Sequence, residues 1–257
     1  MILCKIAVAD NEINMDNYQA SSYGDAVAGI YDSVFKKIDP DCVNFLTMLA
    51  EGGTALELGV GTGRIAIPLQ QSGPKVYGVE CSRHMILELR TKSGGKSIEV
   101  IGDDMQSFRS DLRFDLIFVV FHSLYMLETA EAQIECIENV AHHLKPTGSF
   151  VFEGFVPDMS RFSSGQCVRT SWVSGDAVSI EASTHSPVDQ KVSGVEVIIR
   201  ENKTHIIPIS ARYIWPSELD LMARIAGLKL IDRFSTWSRE KFDDTSTTNI
   251  SIYRKMI

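Results

Sequence analysis

The feature that most constrains this chain is a glycine-rich turn between a short apolar strand and a helical segment. Thr54 to Leu58 follow a strand-like pattern, glycines occupy positions 59, 61 and 63, and helical character resumes at Ile65. Because glycine has no Cβ, such a turn lets backbone N–H groups approach a ligand closely. The order strand, tight turn, helix is typical of the first unit of an open α/β sheet that binds a nucleotide-like ligand.

Two details of this turn indicate which nucleotide-like ligand it could bind. A dinucleotide-binding turn has the pattern G-x-G-x-x-G, and here Arg64 occupies the place of the last glycine, so NAD fits poorly. Glu57 precedes the turn, where a carboxylate would repel a pyrophosphate but would accept hydrogen bonds from an ammonium group. S-adenosylmethionine carries such a group, and we expect Glu57, Gly59, Gly61, Gly63 and Arg64 to bind it.

The next predicted strands also end in candidate ligand groups. Lys75–Val79 leads into Glu80, about twenty residues after the turn, which is the usual distance to an acid that binds ribose hydroxyls. Ile98–Ile101 leads into Gly102–Met105, and the apolar strand Phe114–Phe121 follows. Parallel strands present their carboxyl ends along one edge of a sheet, so we expect these groups to share one cleft.

In this order the motifs resemble those of the class I S-adenosylmethionine-dependent methyltransferases. ELGVGTGR at 57–64 is similar to the first motif of that family, GVECS at 78–82 to the second, GDDM at 102–105 to the adenine-binding motif, and FDLIFVVFHSLYML at 114–127 to the fourth strand and its loop. The resemblance runs from about residue 18 to the end. It is strongest toward small-molecule and peptide N-methyltransferases of natural-product biosynthesis, such as those acting on amino sugars or on the N-termini of linaridin peptides.

The resemblance implies a fold and a cofactor. The fold is α/β, a Rossmann-like seven-stranded mostly parallel sheet whose last strand is antiparallel. The cofactor is S-adenosyl-L-methionine, with S-adenosyl-L-homocysteine as the product. Asp104 and Met105 would bind the adenine and Cys81 would lie against its face, whereas Asp103 is expected to be a solvated turn residue.

The N-terminal helical segment is expected to be a lid. Apolar residues from Tyr23 to Val34 recur at helical spacing. By resemblance, Tyr18, Tyr23, Tyr31 and Phe35 would close over the cleft, with Tyr23 at the cofactor and Tyr31 and Phe35 at the substrate. The alternative is that these rings only pack the helix onto the sheet. Residues 1–15 give no periodic signal and are expected to form a loose arm.

The loop after the fourth strand faces the transferred methyl group in the resembling family. We therefore expect Phe121 at the cofactor, His122 and Tyr125 in catalysis, and Met126 at the substrate. In the amino-sugar relatives a histidine stands where this chain has Met126, so a general base is not carried over directly. His122 either takes that role or forms hydrogen bonds that fix the loop or contact the cofactor.

Later segments add a candidate acid and a cap. Glu153, at the end of the predicted fifth strand 149–155, either holds a substrate ammonium or caps local backbone. Strands at about 167–173, 177–185, 191–200 and 204–213 predict an antiparallel meander in which Trp172 lines a substrate pocket, unless the meander pairs subunits instead. The expected divisions are an N-terminal arm and lid helix (1–38), a cofactor-binding core (39–160 and 215–257) and a substrate-side cap (161–214).

Composition limits the partners and the compartment. A net charge of −8 argues against a nucleic-acid partner and suits cationic substrates. The N-terminus has no signal-like pattern and the apolar runs are too short to span a bilayer, which indicates a cytoplasmic protein. Five cysteines without a C-x-x-C pair read as reduced thiols rather than disulfides or a zinc site. The oligomeric state is not encoded in these patterns, and a homodimer is compatible with them.

The expected activity is in-line transfer of a methyl group to an amine of a small molecule or peptide. Alignment of the reactants can supply about 7–11 kcal/mol of the barrier, and no metal is needed. Magnesium-dependent catechol enzymes place acids after the fourth strand, where this chain has His122 and Ser123. The alternatives are O-methyl transfer to a hydroxyl or carboxyl acceptor and a cofactor-binding protein without catalysis. A dehydrogenase is opposed by Glu57 and Arg64.

Overall fold

Two sheets organise the protein in the computed structural model, which describes residues 18–36, 38–200 and 203–256. The predicted arm at 1–15, with Cys4 in it, lies outside the described residues. In chain order the strands are β1 (Thr54–Leu58), β2 (Lys75–Val79), β3 (Glu99–Ile101), β4 (Phe114–Val119), β5 (Leu144–Phe155), β6 (Gln166–Val173), β7 (Ala177–Ser186), β8 (Lys191–Arg200), β9 (Lys203–Arg212), β10 (Leu228–Phe234) and β11 (Thr248–Lys255).

The larger sheet has the order β10-β11-β5-β4-β1-β2-β3. Strands β1 to β5 are parallel to one another, whereas β11 is antiparallel to both β5 and β10. This confirms the prediction of a seven-stranded, mostly parallel sheet whose last strand is antiparallel. The chain order reverses between β1 and β4, and open α/β sheets bind ligands beyond the carboxyl ends of strands at such a point.

Helices cover both faces of this sheet. They are α1 (Ser22–Val34), α2 (Pro40–Ala50), α3 (Ala66–Gln71), α4 (Arg83–Thr91), α5 (Ala130–His143) and α6 (Pro216–Ile225). Leu46 of α2 and Leu69 of α3 belong to a core cluster on one face, and Ile137 of α5 and Leu219 of α6 belong to the cluster on the other face. Each of these side chains is fully buried, which contributes about 1.5–3 kcal/mol per residue before entropy is counted.

Local capping explains where several helices begin. The Asp39 carboxylate accepts a hydrogen bond from the Asp41 amide (2.9 Å) beside Pro40 in the first turn of α2, and Ser82 Oγ accepts from the Met85 amide (3.2 Å) at the start of α4. Both side chains satisfy a backbone amide of the first helical turn that has no partner within the helix. β5 begins at Leu144, five residues before the predicted start at Ser149.

The smaller sheet is the antiparallel meander β6-β7-β8-β9, as predicted. We call it the cap. Helix α1 lies against both the cap and the core: Val27 and Ala28 form one buried cluster with Met85 of α4 and with Ile198 and Ile207 of the cap. The first helix therefore stands beside the carboxyl edge of the large sheet, next to the glycine turn.

Candidate functional site

A cleft of about 100 Å³, partly open to solvent, lies at the carboxyl ends of β1, β2 and β3 next to α1. The predicted cofactor residues that line it are Tyr23, Gly59, Gly61, Glu80, Cys81, Asp104 and Met105. The predicted substrate residues that line it are Tyr31 and Met126. The sequence motifs thus converge on one cavity, because the parallel strands carry their following loops to one edge.

The glycine turn shapes the floor of this cleft. The amides of Gly59 and Val60 both donate to the Val79 carbonyl (2.9 and 3.0 Å), which ties the turn to β2. Gly61 has φ +53°, and a Cβ built there would come no closer than 3.9 Å to the Gly59 carbonyl oxygen, so it would project into open space. A side chain at this position would therefore be both strained and in the way of a ligand.

Glu80 closes the turn from the second strand. One carboxylate oxygen accepts from the Gly61 amide (2.8 Å), and the other accepts from the Ser82 amide (2.8 Å). Burial raises the pKa of Glu80, while these two amides oppose that rise. Each carboxylate oxygen can accept more than one hydrogen bond, so Glu80 keeps acceptor capacity toward the cleft.

The acids after β3 lie at the other end of the cleft, and both Asp103 and Asp104 line it. Asp104 Oδ1 accepts from the Gln106 amide (2.8 Å), and Asp103 Oδ1 accepts from the Asp104 amide (2.8 Å). Both carboxylates therefore also shape the turn. The sequence predicted a ligand-binding Asp104 and a solvated Asp103, and in the structure Asp103 is exposed and Asp104 partly buried, although both line the cleft.

Glu57 lies in β1 and is 3% exposed, so it is buried and does not line the cleft. Within the described part of the chain its Oε2 atom has no hydrogen-bond partner. Burial raises the pKa of Glu57 well above its usual range, and the charge of Arg64 opposes this rise. A buried carboxylate oxygen without a partner is costly, so this position favours a cation or an N–H donor nearby.

Arg64 lies within a group of aromatic rings rather than on the cleft wall. Its guanidinium is 3.5 Å from the centroid of Phe121 and 5.9 Å from those of Tyr31 and Phe35, and it donates to the Phe35 carbonyl (3.5 Å). Cation–π contacts of this kind hold the end of α1 against the loop after β4. Gly63 is likewise a packing position, where a Cβ would meet Leu89 at 3.0 Å.

Two pairs of side chains fasten α1 onto the cofactor-side loops. Asp25 accepts from Ser82 Oγ (2.6 Å), next to Glu80, and Asp32 accepts from Thr62 Oγ1 (2.8 Å) in the glycine turn. Lys92 also pairs with Asp32 at 2.6 Å. The position of α1 is therefore set by direct bonds to the turn and to the residues that follow β2.

The surroundings of His122 argue against a role as general base. Its Nδ1 accepts from the Phe155 amide (3.1 Å), so the neutral ring carries its proton on Nε2 and has no lone pair left there. Burial lowers the pKa of His122 to about 4. The residue has φ +63° at the start of a short 3-10 helix over Ser123–Met126. The structure thus favours the hydrogen-bonding alternative, in which His122 fixes the loop.

Tyr125 and Glu153 also make internal contacts. The Tyr125 side chain is fully buried, and its hydroxyl donates to the carbonyls of Phe155 (2.9 Å) and Ile214 (3.3 Å). The hydroxyl therefore lies in the core rather than on the cleft wall, and the catalytic role of Tyr125 stays a prediction. Glu153 accepts from the Phe121 amide (2.7 Å), which matches the backbone-capping alternative rather than a free substrate contact.

Trp172 lies outside the cleft. It packs against the cluster that joins α1 to the cap, together with Ile198 and Ile207. Phe121 is 41% exposed and has the Arg64 guanidinium over its ring. Neither residue lines the cleft, so their predicted contacts with substrate and cofactor remain untested predictions.

Sequence reasoning missed several cleft residues. Ser123 and Gly24 both line the cavity. A Cβ at Gly24 would lie 2.7 Å from Ser82 Cβ, so only glycine lets α1 approach α4 this closely. A glycine within an otherwise apolar helical stripe was the available signal for this contact.

The part of the chain that the structure describes holds neither a metal cluster nor a membrane-spanning helix. Among its residues, no three His, Cys, Asp or Glu side chains are grouped so that they could hold a metal ion. Within the same ranges, none of the helices has both the length and the apolar character needed to cross a membrane.

The fold and the cleft together define a class of protein. A doubly wound sheet with a glycine turn, an acid before it, a second acid after the next strand and a helix beside the cleft is the arrangement expected of an α/β enzyme that binds a nucleoside-containing cofactor. The comparisons with known proteins identify the family within that class.

A methyltransferase-domain family model matches residues 55–148. The CcbJ methyltransferase from Streptomyces caelestis has a similar structure, with TM-score 0.87 and 32% identity over 93% of this chain and 100% of that chain. The cypemycin N-terminal methyltransferase of Streptomyces sp is 24% identical over 195 residues, which are 75% of this chain and 79% of that protein. CalS10, an amino pentose methyltransferase from Micromonospora echinaspora, shares the fold at TM-score 0.67 and 17% identity, over 88% of this chain and 97% of that one.

The chain therefore belongs to the S-adenosylmethionine-dependent methyltransferases. This confirms the resemblance that the four motifs indicated.

Proposed function

We propose that this protein transfers a methyl group from S-adenosylmethionine to an amine nitrogen of a small molecule or peptide. The observation that carries the proposal is the cradle formed by Gly61, Glu80 and Glu57: an open glycine position, an acid facing the cleft and a buried carboxylate oxygen without a partner. The similarity to the cypemycin N-terminal methyltransferase supports nitrogen as the acceptor atom.

The residues present fit the cofactor. Glu80 has acceptor capacity for ribose hydroxyls, and Asp104 or Asp103 can accept from an adenine amino group. The side chains of Met105 and Cys81 line the same part of the cleft and would contact the adenine ring. Glu57 would gain a partner from the ammonium group of the methionine portion, directly or through a water molecule.

When bound, S-adenosylmethionine supplies a methyl group on a positively charged sulfonium sulfur. Because that sulfur departs as a neutral thioether, the leaving group needs little further activation. The contribution of the chain is then to align the acceptor and to exclude water. In this proposal the core at 39–160 and 215–257 holds the cofactor, while the lid helix within 1–38 and the cap at 161–214 cover the acceptor. The phenol rings of Tyr23 and Tyr31 close the cleft on the lid side.

Proton handling follows from the surroundings of His122. With Nδ1 bonded to the Phe155 amide and a pKa lowered to about 4, this ring stays neutral near pH 7 and does not remove a proton from the acceptor. An amine can enter as the neutral base or release its proton to water. An acceptor that is nucleophilic without a dedicated base suits this cleft better than a hydroxyl, which would need one.

The test is mass spectrometry after incubation with methyl-deuterated S-adenosylmethionine. The acceptor pool would contain amino sugars, short peptides with free N-termini, phenols and carboxylic acids. The proposal predicts label on an amine, and a phenol or carboxylic acid that gains the label instead would replace it with O-methyl transfer. Retained cofactor without any labelled acceptor would favour a cofactor-binding protein without catalysis.

A further inference from the structure

The cap has an inner face that packs on α1 and an outer face turned away from it. Ile198 of β8 and Ile207 of β9 belong to the buried cluster with α1, so they mark the inner face. Successive residues of a strand point to opposite faces of a sheet. Val197, which pairs with Ile180 of β7 and with Ile206 of β9, therefore lies on the outer face.

The outer face is apolar across all four strands. The aliphatic side chains on it include Val168, Ile180, Val195, Val197, Ile199 and Ile206. The charged residues Arg169, Glu181 and Glu196 pair across the strands in one row. That row ends at Ile207, so these charges lie on the inner face. The middle of the outer face thus carries no charged side chain among the described residues.

The part of the chain that the structure describes leaves this outer face uncovered. Val168 is 77% exposed and Ile206 is 55% exposed. None of the outer-face aliphatic residues named above belongs to a core cluster of the described residues. Soluble proteins rarely expose a continuous apolar surface of this kind, and a sheet with an apolar face is normally covered by a second layer.

The size of the outer face suits a second copy of the same sheet. Its strands are eight to ten residues long. Four strands about 4.8 Å apart, with a rise of about 3.3 Å per residue, give the face an outline of roughly 500–600 Å². Two such faces in contact would bury more than about 1,000 Å² in total, which is the size at which specific protein interfaces begin.

We propose that two copies of this chain form a homodimer through the outer faces of their caps. Identical twisted sheets can stack about 10 Å apart around a two-fold axis, with their apolar side chains interdigitated between them. Each chain has a net charge of −8, and a face without charges lets two acidic copies meet without bringing like charges together. Pairing through this face is independent of the proposed catalytic function.

The test is sedimentation velocity of the full chain over a concentration range of roughly 1–100 µM. Ile206→Lys and Ile199→Lys each place a charge on the outer face, in strands β9 and β8. These side chains are 55% and 40% exposed, so a single chain can accommodate a lysine at either position. The matched control is Leu221→Lys on the exposed side of α6, where the leucine is 60% exposed. Circular dichroism spectra report whether each variant is folded.

We expect the wild-type chain and Leu221→Lys to sediment with twice the mass of the chain. In Ile206→Lys and Ile199→Lys the dissociation constant of the dimer should rise at least about a hundredfold, because the interface would bury a lysine without a partner.

A wild-type chain that stays monomeric over the whole range would overturn the inference. A lower unfolding free energy of Ile206→Lys than of that monomer would then assign the outer face to another segment of the same chain. Dimers that are equally stable in both outer-face variants, or that are lost only in Leu221→Lys, would place the interface elsewhere and would also overturn it.

Discussion

Glu80 at the end of β2 accepts a hydrogen bond from the backbone amide of Gly61 at 2.8 Å. This bond joins the second cofactor motif to the first across neighbouring parallel strands. It orients the carboxylate over the open glycine position, so the acceptor oxygens and the free space lie together. The strength of cofactor binding should therefore depend on this acid more than on any surface carboxylate nearby.

Replacing Glu80 with Gln tests that dependence. The amide has one acceptor oxygen where the carboxylate has two, so it cannot serve the Gly61 and Ser82 amides and a ribose at once. We expect affinity for S-adenosyl-L-homocysteine to fall by about 1.5–3 kcal/mol, measured by calorimetry. Glu99→Gln is the control, since Glu99 is exposed on β3 and pairs with Lys75 at 2.7 Å. Equal affinities for the two variants would show that Glu80 does not contact the cofactor.

Gly61→Ala tests the glycine turn. Gly61 and Gly52 both have positive φ, +53° and +73°, so alanine costs about 1 kcal/mol of backbone strain at either site. Nothing lies within 4 Å of a Cβ at Gly52, whereas a Cβ at Gly61 projects toward the cleft. We expect similar losses of unfolding free energy for the two variants, and a lower affinity for S-adenosyl-L-homocysteine only for Gly61→Ala. A cofactor affinity unchanged by Gly61→Ala would mean that the turn does not border the ligand.

His122→Asn tests the buried neutral histidine. The pKa of His122 in the folded chain, about 4, lies below its ordinary value of 6.5, so on acidification the unfolded chain takes up the proton first. The stability that this residue contributes is thus fully present above pH 6.5 and is lost as the pH falls toward 4. Asparagine tolerates the positive φ and can accept from the Phe155 amide, but it does not titrate.

Between pH 7.5 and 4.5 the wild-type chain should therefore lose about 2 kcal/mol more unfolding free energy than His122→Asn, measured by urea denaturation. The buried carboxylates have raised pKa values, which change the unfolding free energy with pH in the opposite direction. Both chains contain these carboxylates, so their contribution cancels when the two pH curves are compared. Parallel pH curves for the two chains would contradict the buried, neutral state of His122.

Thr62→Val tests the attachment of α1 to the glycine turn. The change removes the bond from Thr62 Oγ1 to Asp32 (2.8 Å) at almost constant volume. Loss of about 1 kcal/mol of local stability should speed hydrogen exchange in α1 about fivefold while α5 is unaffected. Thr47→Val is the control, because among the described residues that hydroxyl bonds only within α2, to the Val43 carbonyl at 2.7 Å. Faster exchange in α1 that is equal in both variants would exclude a specific role for the bond.

The order of strands and the cofactor side of the cleft were predictable from sequence because they depend on local patterns. The turn at 59–63, the acid Glu80 and the Ser82 cap each follow from short-range chemistry. Parallel topology then brings the strand ends together without any further information.

The acceptor side was predicted less well, because it depends on contacts between distant parts of the chain. Tyr125 was a candidate catalytic residue in the sequence, yet its hydroxyl donates to the Ile214 carbonyl, 89 residues away. His122 was a candidate base in the sequence, but its Nδ1 accepts a hydrogen bond from the Phe155 amide, 33 residues further on.

The measurement that tests the central claim most directly is a calorimetric titration of the wild-type chain with S-adenosyl-L-methionine and with S-adenosyl-L-homocysteine, with NAD as the comparison ligand. We predict one site per chain, dissociation constants of roughly micromolar order for both S-adenosyl ligands, and no binding of NAD. Binding of NAD in place of the S-adenosyl ligands would contradict the account, as would the absence of any binding.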